Sequence, residues 1–181
     1  MPYGRRAWAL SLRMAYATPT ESVFDLELDP YRIGLGGMLS YTFSSGLWLG
    51  LSGEAYPGGT VTQIYEPRLI PRQVRLNAES QVSSFDAMIG YDLALAPVVL
   101  RYSLGIGVTF LSWDFGDLPY GSLAGFTAMQ GSVTGLHLKP SLGVVMPVRA
   151  WFSAFDVGYR IETHDQIPPT ATFELSMGVR L

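Results

Sequence analysis

Ten charged residues in this chain share one phase of a two-residue period. Arg13, Arg101, Lys139, Arg160 and Arg180 are of one sign; Glu54, Asp86, Asp92, Asp156 and Glu174 are of the other. Each stands among Gly, Ala, Ser and Thr, with bulky apolar residues at the alternate positions. A charge set of this kind can neutralise itself inside a narrow polar interior, or it can pass protons or ions along that interior. The balance of sign favours the first, because buried unpaired charge is costly while paired, hydrogen-bonded charge is tolerated. His137 shares the phase beside Lys139 and reads as part of the same network, with Glu162 at its rim. The second histidine lies in Glu162-Thr163-His164-Asp165. A histidine among carboxylates could act as the base of a serine hydrolase. No serine is singled out by spacing, so no catalytic residue is assigned. The chain has no cysteine, which excludes disulfides, thiolate metal sites and cysteine nucleophiles. It offers no set of three convergent ligands, so no metal and no cofactor are expected.

The elements that must position these charges are strands. Over Ala171–Leu181, Ala171, Phe173, Leu175, Met177, Val179 and Leu181 alternate with Thr172, Glu174, Ser176, Gly178 and Arg180. A period of two gives a strand whose faces meet different surroundings. Seven further segments alternate in the same way: Arg6–Ala17, Tyr31–Phe43, Leu47–Tyr56, Val82–Leu93, Val98–Trp113, Val133–Val145 and Arg149–Glu162. Pro140 interrupts the sixth and is expected to mark a bulge, since proline donates nothing to a ladder. The whole chain, 1–181, reads as one domain.

Composition narrows the setting. Hydrophobic residues make up 48% and charged residues only 15%, against the quarter usual for soluble domains. No run reaches the roughly 18 apolar residues of a spanning helix, so the apolar surplus must enter a core or meet lipid as strands. A net charge of −3 without a basic cluster argues against nucleic acid. Arg5-Arg6, an apolar stretch and Ala15-Tyr16-Ala17 imitate a signal peptide. Arg13 interrupts that stretch, and the segment alternates as a strand does, so a mature chain is expected.

The connections alternate between short and long. Ser44-Ser45-Gly46, Ala94–Pro97 and Met146–Val148 are short; Thr18–Pro30, Pro57–Gln81, Asp114–Ser132 and Thr163–Thr170 are long. Loops therefore gather at one end and turns at the other, as in an up-and-down meander. Aromatic residues on the apolar face fall near strand ends: Trp8, Tyr41, Phe43, Tyr91 and Trp151 at the turn end, and Tyr16, Tyr31, Phe85, Phe110, Tyr159 and Phe173 at the loop end. Two girdles around an apolar band are the pattern of a membrane barrel. The turn at Ala94–Pro97 can place Asp92 opposite Arg101, and the turn at Met146–Val148 can place Lys139 opposite Asp156.

On this architecture, and on the closing strand Phe173-Glu174-Leu175-Ser176-Met177-Gly178-Val179-Arg180-Leu181, nearly the whole chain resembles the OmpA/OmpX-like group of small bacterial outer-membrane barrels. The resemblance implies an all-β, eight-stranded antiparallel up-and-down transmembrane barrel with short periplasmic turns and long extracellular loops. It places the chain in the bacterial outer membrane, against membrane lipid and lipopolysaccharide. The ten charges are then expected to plug the lumen. Structural or adhesive work would fall to the loops, where Arg68, Arg72 and Arg75 alternate with apolar residues and prolines and suit an anionic lipopolysaccharide or a protein partner. Exposed apolar side chains such as Phe115, Leu118, Tyr120, Leu123 and Phe126 suit a binding surface or a cap over the mouth. Two rivals remain open at this point. One is a lipid A-modifying hydrolase or acyltransferase using His164. The other is a lipocalin-like soluble carrier, which would need exposed Lys and Glu where this chain has Gly, Ala and Ser.

Overall fold

The computed structural model describes residues 6–20, 26–28, 33–65, 74–114, 130–165 and 167–181; residues 26–28, 59–65, 74–78 and 130 are described by backbone alone. Nine strands lie within them: β1 (Ala7–Pro19), β2 (Leu26–Leu28), β3 (Gly34–Thr42), β4 (Leu47–Tyr65), β5 (Val74–Leu95), β6 (Val98–Asp114), β7 (Gln130–Val148), β8 (Trp151–Glu162) and β9 (Thr170–Arg180). All pair antiparallel, each long strand with its neighbours in sequence. Pairing of β9 with β1 closes the ring. Eight strands form the wall, and the short β2 adds to β4 outside it.

The register fixes the bore. From Ala7 the partners run through Thr42, Trp48, Gly90, Ser103, Ser141, Gly158 and Thr172 and return to β1 at Ala17. One circuit climbs ten residues, a shear that with eight strands tilts them by about 40° and leaves an interior that side chains can fill.

Alternation sorts the two faces. Leu10, Leu12, Leu35, Leu51, Ile106, Leu136, Leu142, Phe155 and Leu175 are exposed, with Leu12 at 77%. Charged and small residues at the other phase are buried. Trp8 packs on Tyr41 and Tyr41 on Phe43, both with centroids 5.0 Å apart, at the turn end. Tyr16 with Phe173, and Phe85 with Phe110, lie 6.4 Å apart toward the loops. Tyr31 lies outside the described residues. A barrel that buries charge and exposes leucine is the inverse of a lipocalin-like carrier, and that expectation is withdrawn.

Three local expectations also change. The connection Pro57–Gln81 is not all loop: β4 and β5 continue their ladder to Tyr65 and Val74, across a register shift between Tyr56 and Gly59. The shift falls at Pro57-Gly58, where Gly58 takes a left-handed φ of 78° that side chains rarely adopt. Pro140 marks no bulge, because its partner Leu104 keeps the register of β6 with β7, and β7 keeps one register with β8 on either side of it. The turn between β7 and β8 is Arg149-Ala150, not Met146–Val148, and Arg149 supplies its positive φ of 58°. Lys139 therefore sits four residues out of the expected register with Asp156, whose partner is Gly143.

The lipid-facing reading makes a measurable demand. Leu12 lies midway between the girdle residues Trp8 and Tyr16. Leu12→Arg is expected to destabilise the barrel by about 2–4 kcal/mol, the cost of a cation near the bilayer midplane. Reversible urea unfolding in phospholipid vesicles measures it, and a change below about 0.5 kcal/mol would place Leu12 in water.

Candidate functional site

The interior is built in three layers. At the turn end, Ala9, Val99, Val145, Phe152 and Ala154 form an apolar floor. At the loop end, Ala15, Ala17, Tyr56, Val82, Leu111 and Ile167 form an apolar roof. The charges lie between. This interior is not made only of small residues, as the alternation suggested. Trp48, Tyr56, Phe152, Met38 and Met88 are buried in it. Glycines on facing strands make the space. A Cβ at Gly34 would stand 2.5 Å from the Tyr56 ring, and one at Gly178 would stand 2.5 Å from Phe152. The signal for these large residues was their phase: Trp48 precedes Gly50 and Ser52 at the same alternate positions.

Glu54 is the centre of the charged layer. It accepts from Lys139 Nζ at 3.2 Å, Arg160 Nη2 at 3.3 Å, Arg13 Nη1 at 3.5 Å and the Tyr56 hydroxyl at 2.8 Å. Glu174 meets the same Arg13 Nη1 at 3.1 Å and also pairs with Lys139. Five strands, β1, β4, β7, β8 and β9, thus converge on two carboxylates and three cations. Lys139 and Glu54 side chains are fully buried, so the ion pairs, with the Tyr56 hydroxyl on Glu54, must compensate for the hydration the charges lose there.

Two satellites flank this centre. Toward the turns, Arg101 forks onto Asp92 at 2.9 and 3.0 Å and lies over the Trp48 ring, 4.9 Å from its centroid. Asp92 and Arg101 face each other directly across the β5–β6 hairpin. Toward the loops, His137 Nε2 meets Asp86 Oδ1 at 2.5 Å, and its Nδ1 meets Thr109 Oγ1 at 2.8 Å. Asp86 also accepts from Ser52, and Thr109 donates to Glu162.

Eight of the ten charges singled out by phase, Arg13, Glu54, Asp86, Asp92, Arg101, Lys139, Arg160 and Glu174, enter these groups. Asp156 is buried beside them, facing Glu174 across β8–β9, and neither of its oxygens has a hydrogen-bond partner. Arg180 is displaced from the layer. It is half-buried at the turn end, on the last rung of β9 opposite Ala9 of the apolar floor, its guanidinium 5.9 Å from the Phe152 ring. Among the described residues no group of three metal-ligating side chains occurs. His164 is exposed beyond the end of β8. Arg68, Arg72 and the apolar residues of 115–129 lie outside the described residues; Arg75 is in β5 opposite Ile64, described by backbone alone.

No protein-family description matches the chain, and no curated protein does. Solved structures do. Ail, the attachment invasion locus protein of Yersinia pestis, aligns over 98% of this chain and 99% of its own at 14% identity and a TM-score of 0.56. Neisserial surface protein A aligns over 97% and 96% at 15% identity and 0.56. The outer membrane protein OprG from Pseudomonas aeruginosa aligns over 99% and 98% at 14% identity and 0.57. The chain has the fold of a small outer-membrane β-barrel. With its apolar outer face and double girdle it is an integral barrel of the bacterial outer membrane, in contact with lipid. Ail is also known in complex with the heparin analogue sucrose octasulfate, a structure similar to this chain at a TM-score of 0.51, 13% identity and 97% coverage of each chain.

Glu54→Gln tests the centre. It leaves Arg13 and Lys139 to share Glu174 and takes from Arg160 its carboxylate partner, and breaking a buried ion group of this kind costs about 3–5 kcal/mol. Unfolding in vesicles is expected to show that loss, whereas Ser45→Ala, on an exposed turn, is expected to change stability by under about 0.5 kcal/mol.

Proposed function

We propose that this barrel is closed at rest and works through its loop end, as a structural and adhesive outer-membrane protein that binds an anionic partner. The carrying observation is the interior. An apolar floor, a neutralised charge layer and an apolar roof leave the described bore lined with buried side chains. A hydrated channel through it would require the groups around Glu54 to exchange partners. Planar-bilayer recording of the purified protein is expected to show no stable open state at moderate voltage. A steady large conductance would replace this reading with that of a pore.

The loop end supplies the binding surface. Arg68, Arg72 and Arg75 fall in and beside the segment that joins β4 to β5, whose ladder is described out to Tyr65 and Val74. Three guanidiniums can match phosphate or sulfate oxygens in pairs. Ail, with the same fold, binds a polysulfated sugar, a precedent for anion recognition on this architecture. Lipopolysaccharide and a polyanionic protein or glycan of another surface are the partners of matching chemistry.

Binding to immobilised heparin and to purified lipopolysaccharide tests the reading. Replacing Arg68, Arg72 and Arg75 together by Gln is expected to lower affinity at least tenfold. Salt is expected to mimic the replacement, since exposed ion pairs are screened beyond about 8–10 Å. His164→Ala is expected to leave both binding and the acyl pattern of host lipid A unchanged. A lipid A pattern altered by the protein and restored by His164→Ala would make it an enzyme instead, because loss of a general base costs about two to four orders of magnitude in turnover.

A further inference from the structure

The outer face is apolar but not smooth. On the wall made by β8, β9, β1 and β3 lies an open groove of about 440 Å³, a size within the usual range of small-molecule sites, about 300–1,000 Å³. Two rows of outward side chains border it. Trp151, Val179, Leu10 and Leu39 face one another from β8 to β3, and Met177, Leu12 and Gly37 form the next row toward the loops. Gly37 opens the upper end. Among the described residues a Cβ there would meet Ser11 O alone, at an ordinary 3.4 Å. Packing of the wall therefore does not require this glycine, whereas its ladder partner Gly53 would set a Cβ 3.1 Å from the Phe85 ring. A glycine within a strand that its own fold does not need often marks the close approach of another molecule.

The groove has the slope and depth of one leaflet. Each step from β8 through β9 and β1 to β3 climbs toward the loops, as the whole circuit of the ring does. Three steps at a tilt of about 40° climb roughly 9 Å, and the two residues from Leu39 to Gly37 add roughly 5 Å. The total is about half of an apolar band of about 25 Å. It starts at Trp151, in the turn-end girdle, and ends at Leu12, midway between Trp8 and Tyr16.

Charge stands at the low end. Arg149 lies two residues before Trp151 and Arg6 two residues before Trp8, and all four are exposed. β9 separates the two arginines, and the tilt sets them at nearly one height, roughly 5 Å beyond the tryptophans toward water. Among the described residues the outer rim at this end carries no Asp or Glu side chain. Arg180, one rung from Arg149, keeps the rim cationic even against a carboxyl on Leu181.

We propose that this wall holds one anionic phospholipid of the turn-side leaflet, with an acyl chain in the groove and its phosphate on Arg149 and Arg6. The lining matches hydrocarbon, and guanidinium matches phosphate oxygens. Lipopolysaccharide lies at the loop end, in the opposite leaflet, where the groove does not reach. A second copy of the barrel would bring no outward acid at that level to meet the arginines. Arg6 and Arg149 gain most from a headgroup of net negative charge, since each basic residue at a membrane surface favours anionic lipid several-fold.

Native mass spectrometry of the whole chain, moved into mild detergent from nanodiscs of equal parts phosphatidylglycerol and phosphatidylcholine, tests this. One retained lipid per barrel is expected, with phosphatidylglycerol at least fivefold over phosphatidylcholine. Gly37→Leu fills the groove and is expected to cut retention at least tenfold. Leu39→Trp fills it from the other row and is expected to do the same, so a folding failure of either leaves the other to decide. Arg6→Gln combined with Arg149→Asn, asparagine being at ease with a positive φ, is expected to keep retention and bring the lipid ratio close to one. Circular dichroism establishes that each variant is folded. Undiminished retention in a folded groove variant, an unchanged ratio in the arginine pair, or no preference in the unaltered protein overturns the proposal. A two-barrel mass abolished by Gly37→Leu also overturns it, by giving the groove to a second copy. None of these readouts involves the loop arginines, so failure here and failure of the adhesive reading are separate results.

Discussion

Every backbone N–H and C=O inside hydrocarbon must find its partner within the protein, and closure of β9 on β1 meets that demand for all eight strands. The rest of the molecule follows from the closed ring. A shear of ten residues with eight strands sets a bore that side chains can fill, and the described inward side chains are buried in it. The outward ones must be apolar, which is why Leu12, Leu51, Ile106 and Met177 are exposed without being a liability. The same ring dictates what the glycines do. They stand opposite Tyr56, His137 and Phe152, where a bore of fixed diameter leaves no other room for a large neighbour.

The ion groups answer a question that the apolar pattern leaves open. A strand that slips by two or four residues keeps its leucines in lipid and its small residues inside, so alternation fixes faces without fixing register. Sliding β7 by four residues against β8 would bring Lys139 opposite Asp156. The structure instead sets Arg160 level with Lys139, where both cations reach Glu54. Two like charges on adjacent strands would repel if alone. Here each is held by a carboxylate contributed from farther around the ring, Glu54 on β4 and Glu174 on β9. Buried ion pairs often add little net stability, and specification of register is their best-attested service.

What the sequence reveals follows the same division. Period-two patterns disclosed the eight wall strands, their faces and the turn and loop ends, because the lipid boundary acts on every rung alike. They missed the extension of β4 and β5 to Tyr65 and Val74, where the strands have left the lipid and alternation is no longer enforced. Asp92 opposite Arg101 was legible because the intervening turn is tight and unambiguous. Lys139 opposite Asp156 was misread because Val148-Arg149-Ala150 contains no glycine or asparagine to announce the left-handed position that Arg149 takes. The gathering of Arg13, Glu54, Lys139, Arg160 and Glu174 from five strands was beyond local pattern, since it depends on the shear of the whole ring.

The outer face and the loop end divide the labour of the chain. A wall whose exterior must be uniformly apolar and whose interior must be neutral and full has little freedom to recognise a partner. The β4–β5 hairpin runs nine residues past Tyr56, about 30 Å of strand at the usual rise. The bulge at Pro57-Gly58 lets the hairpin bend as it leaves the wall without giving up its ladder. A paired stalk of this length continues the ladder beyond the wall with its backbone already ordered. The packed interior and the long hairpin are thus two consequences of one architecture: strands held by the lipid boundary must fill their bore, and strands that have left it are free to run on as a ladder.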